Sequence, residues 1–175
     1  MPLSRILSPA ALVLPLALLT VGRAPAEDSE LSRNTMRGVQ GVQVVVEDLK
    51  DGARQDGLNE KDIQTDAELK LRLAGIKVLT QSQQRVTTPG FPFLYIHVNT
   101  MLNRGGTLYA VNCEVSLIQE VLLARDPSIS YSAATWSTTA VGTIGKDRLP
   151  QERDSIKDLV DQFLNAYLAV NPKSE

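Results

Sequence analysis

FLYIHVNTML, NRGG and TLYAVNCEVSLIQEVLL follow one another over residues 93–123, and this stretch decides the fold. Its first and last segments alternate between apolar and polar residues over most of their length, which is typical of strands with one buried face. Between them, residues 103–106 form a turn signal, because Asn and Gly tolerate the positive φ angles that tight hairpin turns require. The stretch therefore predicts a long β-hairpin.

The register of this hairpin follows from its two faces. If Asn103 faces Gly106, one face collects the mostly apolar pairs Leu102–Thr107, Thr100–Tyr109, Val98–Val111, Ile96–Cys113 and Leu94–Val115. The other face is mostly polar and carries Met101–Leu108, Asn99–Ala110, His97–Asn112, Tyr95–Glu114 and Phe93–Ser116. A slip by one residue would mix the two faces and is disfavoured. A slip by two residues would preserve both faces and stays open.

Residues 1–26 are predicted to be a signal peptide. Arg5 supplies a short positive region, residues 6–21 are apolar, and residues 24–26 form an A-x-A site, so cleavage is expected after Ala26. The apolar segment is interrupted by prolines and falls short of the ~20 residues of a membrane span, although an uncleaved anchor is the alternative.

The only cysteine, Cys113, is far from this segment, so the chain is not expected to be a lipoprotein. The sequence predicts an exported protein, periplasmic or secreted, without an integral membrane span in the mature chain.

Composition narrows the class of protein further. The mature chain of 149 residues is long enough for one domain with a substantial core. It carries 16 basic residues against 20 acidic ones, a balance that argues against nucleic acid or an anionic membrane as the partner. A single cysteine cannot form an internal disulfide, so the core alone must hold the fold.

The remaining elements follow in chain order. After a flexible leader at 27–38, we predict strands at 39–49, 76–80 and 130–144, a helix from the cap at Asn59 to Gly75, and a C-terminal helix beginning near Pro150. The last helix has the clearest amphipathic spacing, with apolar residues at 156, 159, 160, 163, 164, 167 and 168. On the fifth strand, Ala134, Trp136, Thr138 and Ala140 are expected to share one face.

The order β-α-β-β-β-β-α predicts an α+β fold. We expect a two-layer sandwich in which two helices cover one face of a mostly antiparallel five-stranded sheet, leaving the other face polar and open to water. Residues 39–171 form the single domain and 172–175 a tail. The strand-helix-strand order of the first elements also suits a βαβ crossover, but the periodicity does not show that these strands are parallel.

In element order the chain resembles small α+β proteins of the bacterial envelope. Examples are the lipoprotein partner of the lipopolysaccharide-assembly outer-membrane translocon and the N-terminal domain of the periplasmic protein of the Tol system. Both build a sheet covered by two helices and serve as assembly partners. The resemblance extends over most of the mature chain and implies a role in assembly, without assigning a role to any residue.

His97 is the only histidine, so any His-based chemistry depends on it. The predicted register places it opposite Asn112, with Tyr95 two residues away and Glu114 diagonal to it. A histidine beside a carboxylate can act as a base, and the alternative is a solvated cross-strand histidine. Cys113 falls on the apolar face and is expected to be a core thiol, not a nucleophile. Trp136 is expected in the core, with an exposed ligand-stacking role as the alternative.

The chain has no Walker, GxSxG, HExxH or paired-cysteine motif. We therefore predict an exported non-catalytic binding or assembly module of the bacterial envelope. An envelope protein would bind the face formed by Tyr95, His97, Asn112 and Glu114, with no metal and no cofactor. One alternative is a small hydrolase or isomerase that uses His97 with Glu114 or Tyr95. The other is a structural protein that self-associates through strand edges.

Overall fold

The computed structural model describes residues 28–83 and 89–172. The predicted signal peptide and the last three residues lie outside this range. The strands are β1 (Gly41–Val46), β2 (Lys77–Val78), β3 (Phe93–Leu102), β4 (Leu108–Leu123) and β5 (Asp126–Gly145). The helices include α1 (Glu30–Asn34), α2 (Asp51–Gln55), α3 (Glu60–Leu73) and α4 (Glu152–Val170), the last preceded by a 3₁₀ helix at Lys146–Gln151.

The five strands form one mixed sheet in the order β2-β1-β3-β4-β5. Long antiparallel ladders join β3 to β4 and β4 to β5, whereas β1 pairs in parallel with both β2 and β3 over short stretches. The predicted α+β architecture is confirmed, and the strand pairing is mixed. The parallel pairing of β1 with β2 through α3 answers the question that periodicity left open.

The β3–β4 hairpin keeps the predicted faces but differs from the predicted register by two residues. Leu102 pairs with Tyr109 and His97 pairs with Glu114, so the loop is longer than the sequence suggests. Asn103 explains the difference, because its side-chain oxygen accepts hydrogen bonds from the backbone N–H groups of Thr107 and Leu108 at 2.9 and 3.1 Å. The side chain thus closes a wider loop in which only Gly106 adopts a positive φ, at 68°.

Both main helices cover the apolar face of the sheet. Asn59 caps α3 by accepting a hydrogen bond from Lys61 N, and Gly75 follows the helix with a φ of 83°, as the sequence predicts. α4 buries Phe163 between the rings of Trp136 and Tyr167, with centroids 5.5 and 6.1 Å away. Among the described residues, no helix is both long and apolar enough to cross a membrane.

The segment predicted as a flexible leader contributes to the core over its described part. Ser29 caps α1 through a reciprocal capping box with Ser32, and Met36 is fully buried. Asp28 accepts a hydrogen bond from the indole N–H of Trp136 at 3.1 Å. Trp136 is itself 1% exposed, which confirms its predicted core position.

β5 contains a bulge that changes the predicted face of one residue. Leu117 pairs with Trp136 but the next residue of β4, Ile118, pairs with Ala134, which leaves Thr135 as an extra residue. Ala134 is therefore exposed on the opposite face from Trp136, contrary to the prediction that they share a face.

Candidate functional site

The face of the sheet that the helices leave uncovered carries all four residues predicted to bind a partner. Tyr95 and His97 lie on β3, and Asn112 and Glu114 lie on β4, alternating with core residues along each strand. The revised register sets His97 opposite Glu114, Tyr95 opposite Ser116, and Asn112 opposite Asn99. The predicted pair of His97 and Asn112 is therefore wrong, although both side chains share the face.

Glu47 organises this face, although it was not among the residues predicted from the sequence. It directly follows β1, whose parallel register with β3 brings residue 47 level with His97. Its backbone N–H donates to the carbonyl of Ile96 at 2.9 Å, which continues the ladder by one residue. Its carboxylate oxygen Oε2 accepts hydrogen bonds from the Tyr95 hydroxyl and from Nδ1 of His97.

These bonds shift the pKa values of Glu47 and Tyr95, which together with His97 form what we call the Glu47 cluster. The hydrogen bond from Tyr95, followed by that from His97, lowers the pKa of Glu47. The same bond to Glu47 is the main cause that raises the pKa of Tyr95 to about 12. Near neutral pH, Glu47 is a carboxylate that only accepts hydrogen bonds, so Nδ1 of His97 carries a hydrogen. The side chains of His97 and Glu47 remain 33% and 42% exposed.

Glu114 lies across the strand pair from His97 and has a different hydrogen-bond partner. Its Oε1 accepts a hydrogen bond from the Ser116 hydroxyl at 2.6 Å, two residues along the same face of β4. Ser116 is buried, so this bond satisfies a hydroxyl that has little access to water. Glu114 thus adds a second carboxylate beside the Glu47 cluster, and the centre of the open face is acidic.

Asn112 lies in a depression next to this acidic centre. The depression has a volume of about 260 Å³ and is lined by Lys50, Asn99, Thr100, Met101, Ala110, Val111, Asn112 and Val141. The side-chain oxygen of Asn112 is buried there and accepts no hydrogen bond from the described residues. Met101 and Val141 border the depression with exposed fractions of 69% and 81%. Two exposed apolar side chains thus lie beside an unsatisfied acceptor.

Lys50 defines one side of this depression. Its ammonium group donates to the Asn99 side chain at 2.8 Å and to the Thr100 carbonyl at 2.9 Å. The amide of Asn99 is therefore engaged, in contrast to that of Asn112 in the facing position on β4. Of this pair of asparagines, only Asn112 presents an acceptor without a donor.

Cys113 is fully buried on the core face, as predicted. Its partner on β3 is Val98, not Ile96, because of the shift in register. Burial, reinforced by the charge of Glu152, raises the pKa of this thiol. The thiol is therefore protonated and shielded, so it lacks the properties of a nucleophile. Within the described ranges, no group of three or more His, Cys, Asp or Glu side chains is arranged to hold a metal ion.

A search of protein-family models with the whole chain finds no match. A search of the curated proteins likewise finds no relative.

Proposed function

We propose that the protein is an exported, non-catalytic module that binds a protein partner through the open face of its sheet. The buried, unsatisfied oxygen of Asn112 carries this proposal. A buried acceptor without a donor costs about 1–3 kcal/mol, and proteins retain few of them. A partner whose binding turns the amide of Asn112 outward and that donates a hydrogen bond to its oxygen would recover that cost. The predicted signal peptide at residues 1–26 supports the exported location.

The surroundings of Asn112 indicate the chemistry of the partner. Met101 and Val141 offer exposed apolar contacts, and exposed apolar groups on an otherwise polar face favour an interaction site. Glu47 and Glu114 give the neighbouring part of the face negative charge. The partner therefore presents an apolar side chain for the depression, a donor for Asn112, and a basic side chain for the two carboxylates.

The states of the side chains favour binding over catalysis. The hydroxyl of Tyr95 stays protonated and is held by Glu47, while Glu114 already accepts from Ser116. Cys113 is on the other side of the sheet. The face is open and most of the polar groups at its centre are already hydrogen-bonded, which favours binding of a partner, whereas reaction centres are typically enclosed sites around a free base or nucleophile.

Site-specific photo-crosslinking in the natural host tests this placement. A photoreactive amino acid replaces Met101 in one variant and Leu73 in a control, because Leu73 is 77% exposed on α3. We expect a discrete adduct with another protein from position 101 and none from position 73. Identical adduct patterns from both positions, or no adduct from position 101, would overturn the proposal.

The substitution Asn112→Leu supplies a second measurement on the same site. Leu has the same branching and the same number of side-chain heavy atoms as Asn, although its methyl groups are larger, and it removes the unsatisfied oxygen, so the free energy of unfolding is expected to rise by about 1 kcal/mol. The adduct at position 101 is expected to disappear. A loss of stability together with an unchanged adduct would show that Asn112 is structural and not part of the binding site.

The second candidate function is catalysis in which His97 acts as a general base, and the hydrogen bond between Glu47 and His97 supports it. With its hydrogen on Nδ1, the neutral imidazole has Nε2 as an acceptor for a proton. Turnover of chromogenic ester or glycoside substrates that disappears in His97→Ala would support this candidate. Turnover that survives the substitution, or its absence in the unmodified protein, would exclude these reactions.

A further inference from the structure

We propose that the free edge of β5 pairs antiparallel with the same edge of a second copy of the chain, giving a two-fold symmetric dimer with a ten-stranded sheet. β5 is the last strand of the sheet, and no further strand pairs with it among the described residues. It spans twenty residues, from Asp126 to Gly145, whereas the strand at the opposite edge, β2, has two. This interaction is separate from partner binding at the open face.

The main-chain groups available for pairing follow from the hydrogen bond at the end of the β4–β5 ladder. Lys146 N–H donates to the carbonyl of Thr107 at 2.9 Å, so residue 146 directs its backbone groups toward β4. Because direction alternates along a strand, residues 144, 142, 140 and 138 do the same. The residues between them, Ser137, Thr139, Val141 and Thr143, direct their N–H and C=O groups outward at the edge.

The composition of this edge fits a second copy. Residues 128–145 contain no charged side chain and no proline. Pro127, which lacks a backbone N–H, comes directly before them. Proteins usually protect a long edge with Lys, Pro or a covering element. An uncharged strand can pair with its own copy without placing like charges opposite one another.

The helices leave the regular part of the edge accessible. Contacts from the N-terminal segment reach β5 near the bulge, through the bond between Asp28 and Trp136. Beyond the bulge, a groove of about 340 Å³ separates residues 140–145 from Arg148, Glu152 and Ser155. Side chains of an added strand therefore have space on the helix side as well as on the open side.

A two-fold axis at Ala140 satisfies the pairing rules. It places Thr139 opposite Val141 of the second copy and Ser137 opposite Thr143, all with outward backbone groups. The two-fold axis repeats each of these two pairs, and the resulting four pairs would form about eight main-chain hydrogen bonds, because each hydrogen-bonded antiparallel pair contributes two. The small side chains of Ala140 meet at the axis, where paired backbones approach most closely.

This arrangement closes at two copies. The interface uses the same edge of each chain, so the ten-stranded sheet ends on each side in a short β2 strand, while residues 126–134 of β5 extend beyond the new ladder. It also joins the two open faces into one surface that carries two copies of the Glu47 cluster. The dimer would therefore present the proposed partner sites in duplicate.

Sedimentation velocity of the exported, purified protein over a micromolar concentration range tests the dimer. We expect the unmodified protein to sediment with twice the monomer mass. Thr139→Lys is expected to weaken the dimer at least about 100-fold, because a charge on an edge strand opposes pairing. The new ammonium group lies opposite Glu114 on β4, so the monomer keeps its fold. Monomer at every concentration, or a dimer that persists in Thr139→Lys, would overturn the proposal.

Two further variants separate edge pairing from a change in folding. Thr139→Pro removes an outward N–H that β4 does not use, so it is expected to give a folded monomer. Thr139→Val keeps the N–H and is expected to remain dimeric. Circular dichroism verifies the fold of each variant. The adduct from position 101 with another protein is expected to survive in Thr139→Pro, which opposes edge pairing without placing a charge opposite Glu114, so the two proposals fail independently.

Discussion

Replacing Glu47 by Gln changes the charge at the centre of the open face while preserving the shape of the side chain. The carboxylate accepts hydrogen bonds from Tyr95 and His97. Without the negative charge, the phenolate of Tyr95 no longer forms beside an anion. We expect the pKa of Tyr95 to fall from about 12 toward about 10, the usual value for tyrosine.

The energetic effect is smaller than this pKa difference implies. A difference of that size corresponds to about 2.7 kcal/mol when the interaction is fully shielded from water. Glu47 is 42% exposed, and solvent screens the interaction, so we expect a coupling of about 1 kcal/mol between Glu47 and Tyr95. The contribution of Tyr95 to the free energy of unfolding is fully present below the tyrosine pKa of the unfolded chain, and it is lost as pH rises through about 12. The contribution of Glu47 to the free energy of unfolding is lost as pH falls through the lowered pKa of Glu47.

Two assays measure these quantities. Alkaline titration of the phenolate absorbance, with Tyr95→Phe to assign the transition, gives the pKa of Tyr95 with and without Glu47. A double-mutant cycle of Glu47→Gln and Tyr95→Phe, from urea unfolding near neutral pH, gives the coupling. A pKa of Tyr95 that Glu47→Gln leaves unchanged, together with additive effects on unfolding, would refute the geometry of the Glu47 cluster.

Three other predictions concern the core and its connection to the N-terminal segment. Cys113 is fully buried with a raised pKa, so its reaction with a thiol reagent is expected to be at least about 100-fold slower in the native protein than in urea; rapid reaction in buffer would contradict its burial. Phe163→Ala is expected to lower the free energy of unfolding by about 3–5 kcal/mol, measured by urea titration, because it leaves a cavity at a fully buried position; a loss under 1 kcal/mol would be inconsistent with this packing. The pKa of Asp28 is lowered chiefly by its hydrogen bond from Arg33, so Asp28→Asn is expected to destabilise the protein by about 1 kcal/mol near neutral pH and by less as pH falls through that pKa. Unfolding curves followed by Trp136 fluorescence test this, and equal losses at neutral and acidic pH would point to a cause other than charge.

The fold was predictable where local patterns determine it. Alternating apolar residues specify which side of β3 and β4 is buried, and Asn59 and Gly75 mark the ends of α3. The same alternation is unchanged by a shift of two residues, so it could not determine the register. The side chain of Asn103 decides that register through hydrogen bonds that a turn signal does not reveal. The bulge at Thr135 likewise depends on the pairing with β4 and has no clear local signal.

Only part of the candidate site could be predicted from the sequence, because one of its residues comes from a strand distant in the chain. Tyr95, His97, Asn112 and Glu114 belong to one hairpin, so the alternation along two adjacent strands assigns them to one face. Glu47 is 48 residues before Tyr95 and meets it only because β1 lies beside β3 in parallel. A carboxylate directly after a β-branched strand was the one local signal, and it is common at strand ends. The unsatisfied oxygen of Asn112 depends on side-chain placement and required the structure.

The parallel contact between β1 and β3 has a consequence for local unfolding. β3, β4 and β5 form a meander of sequential antiparallel strands, whereas β1 joins them through a four-residue parallel ladder. Short ladders open at lower free energy than long ones, so amide protons of β1 are expected to exchange before those of β4. Each opening of β1 would separate Glu47 from Tyr95 and His97 while the meander persists. The Glu47 cluster therefore depends on a small cooperative unit, and a partner bound there would slow hydrogen exchange in β1 first.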